Sequence, residues 1–262
     1  MNVVTSIVTL PSWLLFLLTT GTGFLFSNLG SWVARSRVKK GVQEPEAVIS
    51  SAVGAMLGLL AFILGFTFSN TSSRFSQRKQ LVVQQANAIG TSYLRTSFIP
   101  EKQKTEIRTI YRNYTDLLLS LKNASDIQQE LIKLQALHLK LWDQTASLVN
   151  ENMDSELRSL FTSSVNDVID LAGERETVAL VFRIPVTLWT TLFVLFIICM
   201  FALGYQMGTF NSRRVFSLPL LAAALALVIV LISNMDSSSR QNFQASQKPL
   251  ESLRLMMQEN IR

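Results

Sequence analysis

Eight small residues, Ala47, Ser51, Gly54, Gly58, Ala61, Gly65, Ser69 and Ser72, recur at steps of 4, 3, 4, 3, 4, 4 and 3. At 100° per residue all eight fall within a sector of roughly 80°, one continuous stripe on a helix. A stripe of this kind lets another helix approach closely, and Gly54-x-x-x-Gly58 has the form of a membrane packing motif. The packing set is read as Gly54, Gly58, Ala61, Gly65 and Ser69. Several copies of the helix could then crowd round an axis. Leu59, Phe62 and Phe66 on the same segment would form a hydrophobic constriction of the sort that gates by dewetting. The two readings are compatible, because a pore helix must also pack.

Phe66-Thr67-Phe68-Ser69-Asn70 is followed by Arg74, Arg78 and Lys79, and Glu174, Arg175, Glu176 and Arg183 precede a later apolar run. Both charge groups should lie at about one membrane level. Arg74, Arg78, Glu174, Arg175 and Arg183 then form either a salt-bridge collar or a charged vestibule that concentrates ions at a pore mouth. Asn87 stands in the small, mostly apolar run Ala86-Asn87-Ala88-Ile89-Gly90-Thr91, where a buried amide would set helix register. His138 lies at the edge of an apolar seam and reads as a half-buried structural histidine, with a proton sensor as the alternative. Cys199 lies inside an apolar run and behaves as a small hydrophobe. Asn113-Tyr114-Thr115 and Asn123-Ala124-Ser125 fit the glycosylation pattern, but the first is within an expected helix and nothing marks a secretory context. No G-x-S-x-G, Walker loop, H-E-x-x-H or dinucleotide fingerprint occurs, so no enzyme, metal site or cofactor is expected.

These residues must be held by membrane-crossing helices. The 262 residues are 48% hydrophobic and only 16% charged, against about a quarter charged for soluble domains. One cysteine excludes a disulfide framework, and one histidine a His-rich metal centre. Four runs reach the ~20 residues a bilayer needs. They extend from about Ile7 to Trp32, Val48 to Ser69, Pro185 to Gly208 and Val215 to Met235. Trp13, Trp32, Trp189 and Tyr205 near their ends read as interfacial aromatics. The first run lacks a basic leader and is too long for a signal peptide. The spans are almost free of ionisable groups, which argues against a proton-coupled pump.

The net charge of +6 is explained by location. Residues 70–183 carry fourteen basic and thirteen acidic side chains, so +5 lies elsewhere. The ten basic residues outside that block are Arg35, Arg37, Lys39, Lys40, Arg213, Arg214, Arg240, Lys248, Arg254 and Arg262. They punctuate apolar runs instead of lining a groove with stacking aromatics, which excludes a nucleic-acid binder.

Between spans two and three the periodicity predicts four helices. Span two continues to about Phe98, where Pro100 stops it. Next come a stripe through Ile107, Ile110, Tyr111, Tyr114, Leu117, Leu118 and Leu121, and a seam through Ile127, Leu131, Leu134, Leu141 and Leu148 capped by Ser125 or Asp126. A fourth helix carries Leu157, Leu160, Phe161, Val165, Val168 and Ala172. The fold expected is an all-α integral membrane protein, with spans two and three extended into a helical extramembrane domain. Its divisions are 1–47 (first span and basic loop), 48–69 (second span), 70–183 (helical domain), 184–235 (third and fourth spans as a hairpin) and 236–262 (C-terminal tail). Six short-loop charges put both loops in the cytoplasm and the helical domain outside. Seven flanking charges, Arg74, Arg78, Lys79, Arg175, Arg183, Arg240 and Lys248, oppose this, so sidedness stays open.

Four stretches carry a resemblance: Gly65-Phe66-Thr67-Phe68-Ser69, Ala86-Asn87-Ala88-Ile89-Gly90-Thr91-Ser92-Tyr93-Leu94-Arg95, Gly173-Glu174-Arg175, and Gly204-Tyr205 with Gly208. Together they resemble the bacterial bestrophin-like domain family, from about residue 45 onward. In that family an acid usually precedes the Ala-Asn pair; this chain has Gln85 there. The family is similar in turn to bestrophins, pentameric ion channels with four spans and long helices in the cytosol. The resemblance implies a homo-oligomer, a pentamer if it follows bestrophins, in a bacterial inner (plasma) membrane, which passes inorganic ions with span two lining the pore. It also implies that the helical domain is inside. No bestrophin-type calcium clasp is legible. The rival expectation is a non-conducting sensor or scaffold whose helical domain binds a partner or ligand.

Overall fold

The structure, a computed structural model, describes residues 10–41, 44–121, 124, 126–210, 217–237 and 245–259. The expected starts of spans one and four (Ile7, Val215) lie outside them, as do Asn123, Ser125, Arg213, Arg214, Arg240 and Arg262. The described residues are helical with short turns, and no strand occurs among them. Four helices are long and apolar enough to cross a membrane. They are α1 (Ser12–Lys39), α2 (Glu46–Arg95), α6 (Val186–Thr209) and α7 (Ser217–Asp236). The remaining helices are α3 (Glu101–Ser120), α4 (Ile127–Ser147), α5 (Ser155–Glu176) and α8 (Lys248–Glu259). The chain is an all-α integral membrane protein. It divides into two compact units, Met1–Phe75 with Arg183–Gln244, and Ser76–Phe182 with Ala245–Arg262.

In the first unit the usual burial pattern is inverted. The buried positions of α1 are Leu15, Thr19, Gly23, Ser27, Gly30 and Ala34, mostly small, at steps of four and three. Its large side chains, including Trp13, Leu18, Phe24, Leu25 and Trp32, point outward. Water would reject that arrangement, whereas hydrocarbon accepts it and leaves close helix packing to the small residues. α1 and α6 meet backbone to backbone. A Cβ on Gly204 would collide with the Ser27 carbonyl, and one on Gly30 with the Phe201 carbonyl. Ser31 Oγ donates to the Gly204 carbonyl at 2.8 Å across the same crossing. The core of the unit joins Val53, Leu60 and Leu64 of α2 to Leu192 and Phe196 of α6 and Ile229 of α7. Trp189, expected at a membrane interface, is instead buried in this core and stacks on Phe193 at 6.0 Å. It lies in the first turn of α6 on the same face as Leu192 and Phe196, three and seven residues on, so the ring turns inward with them.

In the second unit each helix boundary has a local cause. Pro100 ends the α2 segment after a short 3-10 turn at Thr96–Phe98 and begins α3, with Glu101 in its first turn. Asp126 caps α4 by accepting from the Gln128 and Gln129 amides, and Asp154 caps α5 through Glu156 and Leu157. Ile107, Tyr111, Tyr114 and Leu118 of α3 are buried with Leu134, Leu141 and Leu148 of α4 and Phe161, Val165 and Val168 of α5. Leu157 and Leu160, placed on the same seam by spacing, are exposed. The segment 236–262, divided off as a tail, contributes α8, whose Leu250, Leu253 and Met257 belong to this core.

α2 is unbroken over 50 residues, as its periodicity predicts. The third span is not continuous with α5: a π turn at Thr177–Val181 and non-helical Phe182–Pro185 separate them. Pro185 has no N–H to continue a helix and holds Ile184 out of the helical region. α6 then starts with the Leu188 and Trp189 amides on the Pro185 carbonyl.

Candidate functional site

α2 has two faces within the first unit. Leu60 and Leu64 are 1% and 4% exposed, whereas Phe62, Phe66 and Leu59 are 71%, 58% and 51% exposed. The small stripe lies on the outward side too, because Gly54, Gly58, Ala61, Gly65 and Ser69 are all exposed. A Cβ on Gly54, Gly58 or Gly65 would meet nothing within 4 Å. Within the described chain, therefore, no helix occupies the stripe. The inner face disposes of its own hydroxyls, since Thr67 Oγ1 donates to the Ile63 carbonyl and Thr71 Oγ1 to that of Thr67, each at 2.7 Å. What remains outward is a glycine-rich flank beside a row of large apolar side chains.

The charged residues expected as a collar fall in different settings. Arg74 is half-buried in the first unit, with Nη1 buried and without a hydrogen-bond partner. Arg183 is exposed there. In the second unit Arg78 is buried and Glu174 exposed. Arg175 Nη1 donates to Gln85 Oε1 at 2.5 Å, and Gln85 Nε2 donates to the Tyr114 hydroxyl at 2.9 Å. Arg74, Glu174 and Arg175 form no ion pair among the described residues.

The Arg175–Gln85–Tyr114 chain runs through the helical core. Burial holds the Arg175 guanidinium below its ordinary pKa, partly offset by Tyr114, and burial pushes the Tyr114 phenol above its own. His138 lies against Tyr114, ring centroids 5.1 Å apart, with Nε2 buried and unpartnered. Burial lowers its pKa from the usual 6.5. Next to this chain Tyr111 donates to Ser92 Oγ at 2.5 Å, and Ser164 reaches the same oxygen at 3.0 Å. Asn87, expected to fix register from a buried position, is exposed, and Gln85 two residues earlier is the buried amide. Two residues carry a helical side chain about 200° round the axis, to the opposite face.

Two carboxylates, with three contacts between them, escaped the sequence reading. Asp236, the first acid after the last apolar run, is buried at the end of α7, and its Oδ1 accepts from the Ile184 amide at 3.0 Å. Glu44, an acid in the basic loop, pairs with Arg37 at 3.1 Å and accepts from the Tyr205 hydroxyl at 3.1 Å. In each case the signal was an isolated carboxylate beside the end of a span. Cys199 is buried and unpaired, its Sγ directed at the Met56 carbonyl. The described residues hold no group of three or more His, Cys, Asp or Glu able to bind a metal ion.

Four bilayer-length helices, one of them carried on into a helical domain and bearing a small-and-aromatic face that no other described residue covers, define an all-α integral membrane protein. The chain belongs to the Bestrophin-like domain family, whose model matches residues 21–250. Its fold is similar to that of a point variant of a bacterial bestrophin homologue from Klebsiella pneumoniae, with a TM-score of 0.65 at 14% identity, covering 94% of this chain and 97% of that one. Another structure of the Klebsiella pneumoniae homologue, solved by zinc phasing, gives 0.63 at 14% identity over 94% and 96%. A structure described only as a membrane protein gives 0.65 at 14% over 94% and 96%. No curated protein matches the chain in sequence.

Proposed function

We propose that this protein is an oligomeric ion channel of a bacterial inner membrane. Copies of α2 surround an axis, and Leu59, Phe62 and Phe66 form a hydrophobic neck. The observation that carries this reading is the outward face of α2, where large apolar side chains stand beside glycines whose Cβ positions are open. In an assembly the glycine flank admits the neighbouring α2, and the Phe row turns toward the axis. Membership in a family named for bestrophins supports it. By analogy with bestrophins the helical domain faces the cytoplasm, and Arg74 and Arg183, both in the first unit, line a charged mouth. The particle should be a closed ring, with five copies as the first expectation.

Purified protein in liposomes should pass ions, and Phe62→Ala with Phe66→Ala should raise the flux at least several-fold by widening and wetting the neck. Absence of flux from folded, oligomeric protein would sink the proposal. A scaffold reading draws on α4 and the 3-10 turn after it, where Ile132, Leu139 and Trp142, then Val149, form an exposed apolar row. Partner capture by that row with no ion flux would favour it.

A further inference from the structure

Arg108 and Arg112 stand one turn apart on α3, and both close on a single side chain, Tyr93 of α2. The Arg108 guanidinium lies over the Tyr93 ring, its Cζ 5.0 Å from the centroid, while Nε donates to Thr96 Oγ1 at 2.8 Å. Arg112 Nη2 reaches the Tyr93 hydroxyl at 3.3 Å, and that hydroxyl donates to the Met257 carbonyl of α8. Arg112 Nε is buried and donates to nothing. Neither guanidinium has a carboxylate within ion-pair distance among the described residues. Asp116, one turn further along α3, is engaged by Arg254 at 2.7 Å.

Like charges at this spacing repel each other, and a buried donor without an acceptor is costly. The repulsion is relieved by one kind of ligand, a compact oxyanion with several acceptor oxygens. Among the described residues Arg108 donates only from Nε, which leaves its two Nη groups as a fork of the geometry that phosphate oxygens match. Arg112 adds Nη1, while its Nε stays sealed inside. Tyr93 holds the two planes together through its ring and hydroxyl, so little side-chain freedom is left to lose on binding. We propose that Arg108 and Arg112, braced by Tyr93, form a binding site for a phosphate-type oxyanion free in solution. The site is separate from the α2 neck and does not depend on ion conduction.

The test uses the full chain. In detergent at neutral pH, inorganic phosphate is titrated against chloride at equal ionic strength, with the thermal midpoint and calorimetric binding as readouts. In parallel, phosphatidylglycerol nanodiscs are compared with phosphatidylcholine nanodiscs. Saturable stabilisation by free phosphate supports the site if Arg108→Gln and Arg112→Gln abolish it; a rise only in phosphatidylglycerol, which would report lipid contact at the spans, overturns it. Arg108→Lys and Arg112→Lys, which keep charge and stem but lose the fork, should weaken binding about tenfold and decide the matter where a Gln variant does not fold. Equal response to phosphate and chloride, with no phosphatidylglycerol effect, overturns the proposal. So does stabilisation that survives in the Lys variants undiminished, or a loss of midpoint in the variants that is the same with and without phosphate.

Discussion

Arg175 is a buried cation whose hydrogen-bond partner, Gln85, carries no charge. The amide satisfies geometry but supplies no counter-charge, and burial holds the guanidinium pKa below its ordinary value. Gln85→Glu replaces the neutral acceptor by a carboxylate, and Tyr114 can then donate to position 85 instead of accepting from it. A charge-assisted bond exceeds a neutral one by about 1 kcal/mol, so the thermal midpoint of Gln85→Glu should rise by a few degrees at pH 7. That gain exists above the unfolded glutamate pKa of about 4.3 and is lost as pH falls through the lower folded value. A lower midpoint at pH 7 would show that Gln85 is already the better partner. His138 has the opposite profile. Its folded pKa lies below 6.5, so on acidification the unfolded chain takes up the proton first. Stability should fall as pH drops from 6.5 toward the folded pKa, and His138→Gln should flatten that part of the midpoint-against-pH curve. The half-buried placement of His138 was legible from its position on the α4 seam. The Arg175–Gln85 bond, which joins residues 90 apart in the chain, was not, because nothing local pairs an arginine with a distant amide.

At the scale of the helix the two glycine-bearing surfaces call for opposite outcomes. Gly204→Leu forces a side chain into the Ser27 backbone. Overpacking against a side chain costs roughly 1–3 kcal/mol, and a backbone carbonyl yields less readily. The variant should lose its thermal transition or aggregate on extraction, whereas Gly58→Leu should keep full helicity by circular dichroism, because its Cβ meets nothing within the chain. Span lengths, the long α2, the stop at Pro100 and the Asp126 cap were legible, since apolar runs, proline and capping residues act locally. The small inner face of α1 was overlooked although Thr19, Gly23, Ser27, Gly30 and Ala34 repeat as regularly as the α2 stripe. In a membrane helix the lipid-facing side is also apolar, so hydropathy does not tell the packed side from the lipid side. α8 was missed because it is only twelve residues long and its partners are remote in sequence, Tyr93 and Thr115 lying 164 and 142 residues from Met257.

For the whole molecule, the proposal turns on what covers the outward side of α2. Gly58→Leu should shift the detergent-solubilised particle toward smaller species by light scattering while the monomer fold survives. An unchanged particle mass would mean that the glycine flank faces lipid. Sidedness has its own measurement. Lys133 extends from α4 with its side chain 60% exposed, and the native Cys199 is buried, so Lys133→Cys supplies one accessible thiol. With a cytoplasmic helical domain, a membrane-impermeant maleimide should label it only after spheroplasts are opened. Labelling of intact spheroplasts would vindicate the six short-loop charges. Charge counts alone left this undecided because they were nearly equal at the two ends of the spans.

The close contact of α1 with α6 also sets a schedule. Ser31 and its acceptor, the Gly204 carbonyl, are 173 residues apart. At synthesis rates of about 5–20 residues per second, α1 waits on the order of ten to thirty seconds before its partner leaves the ribosome. Through that interval its Gly, Ser and Thr face is open to the insertion machinery, to lipid, or to the α1 of another nascent copy. The same glycines that allow two backbones to touch in the finished protein make its first helix wait for the third span before it finds its place.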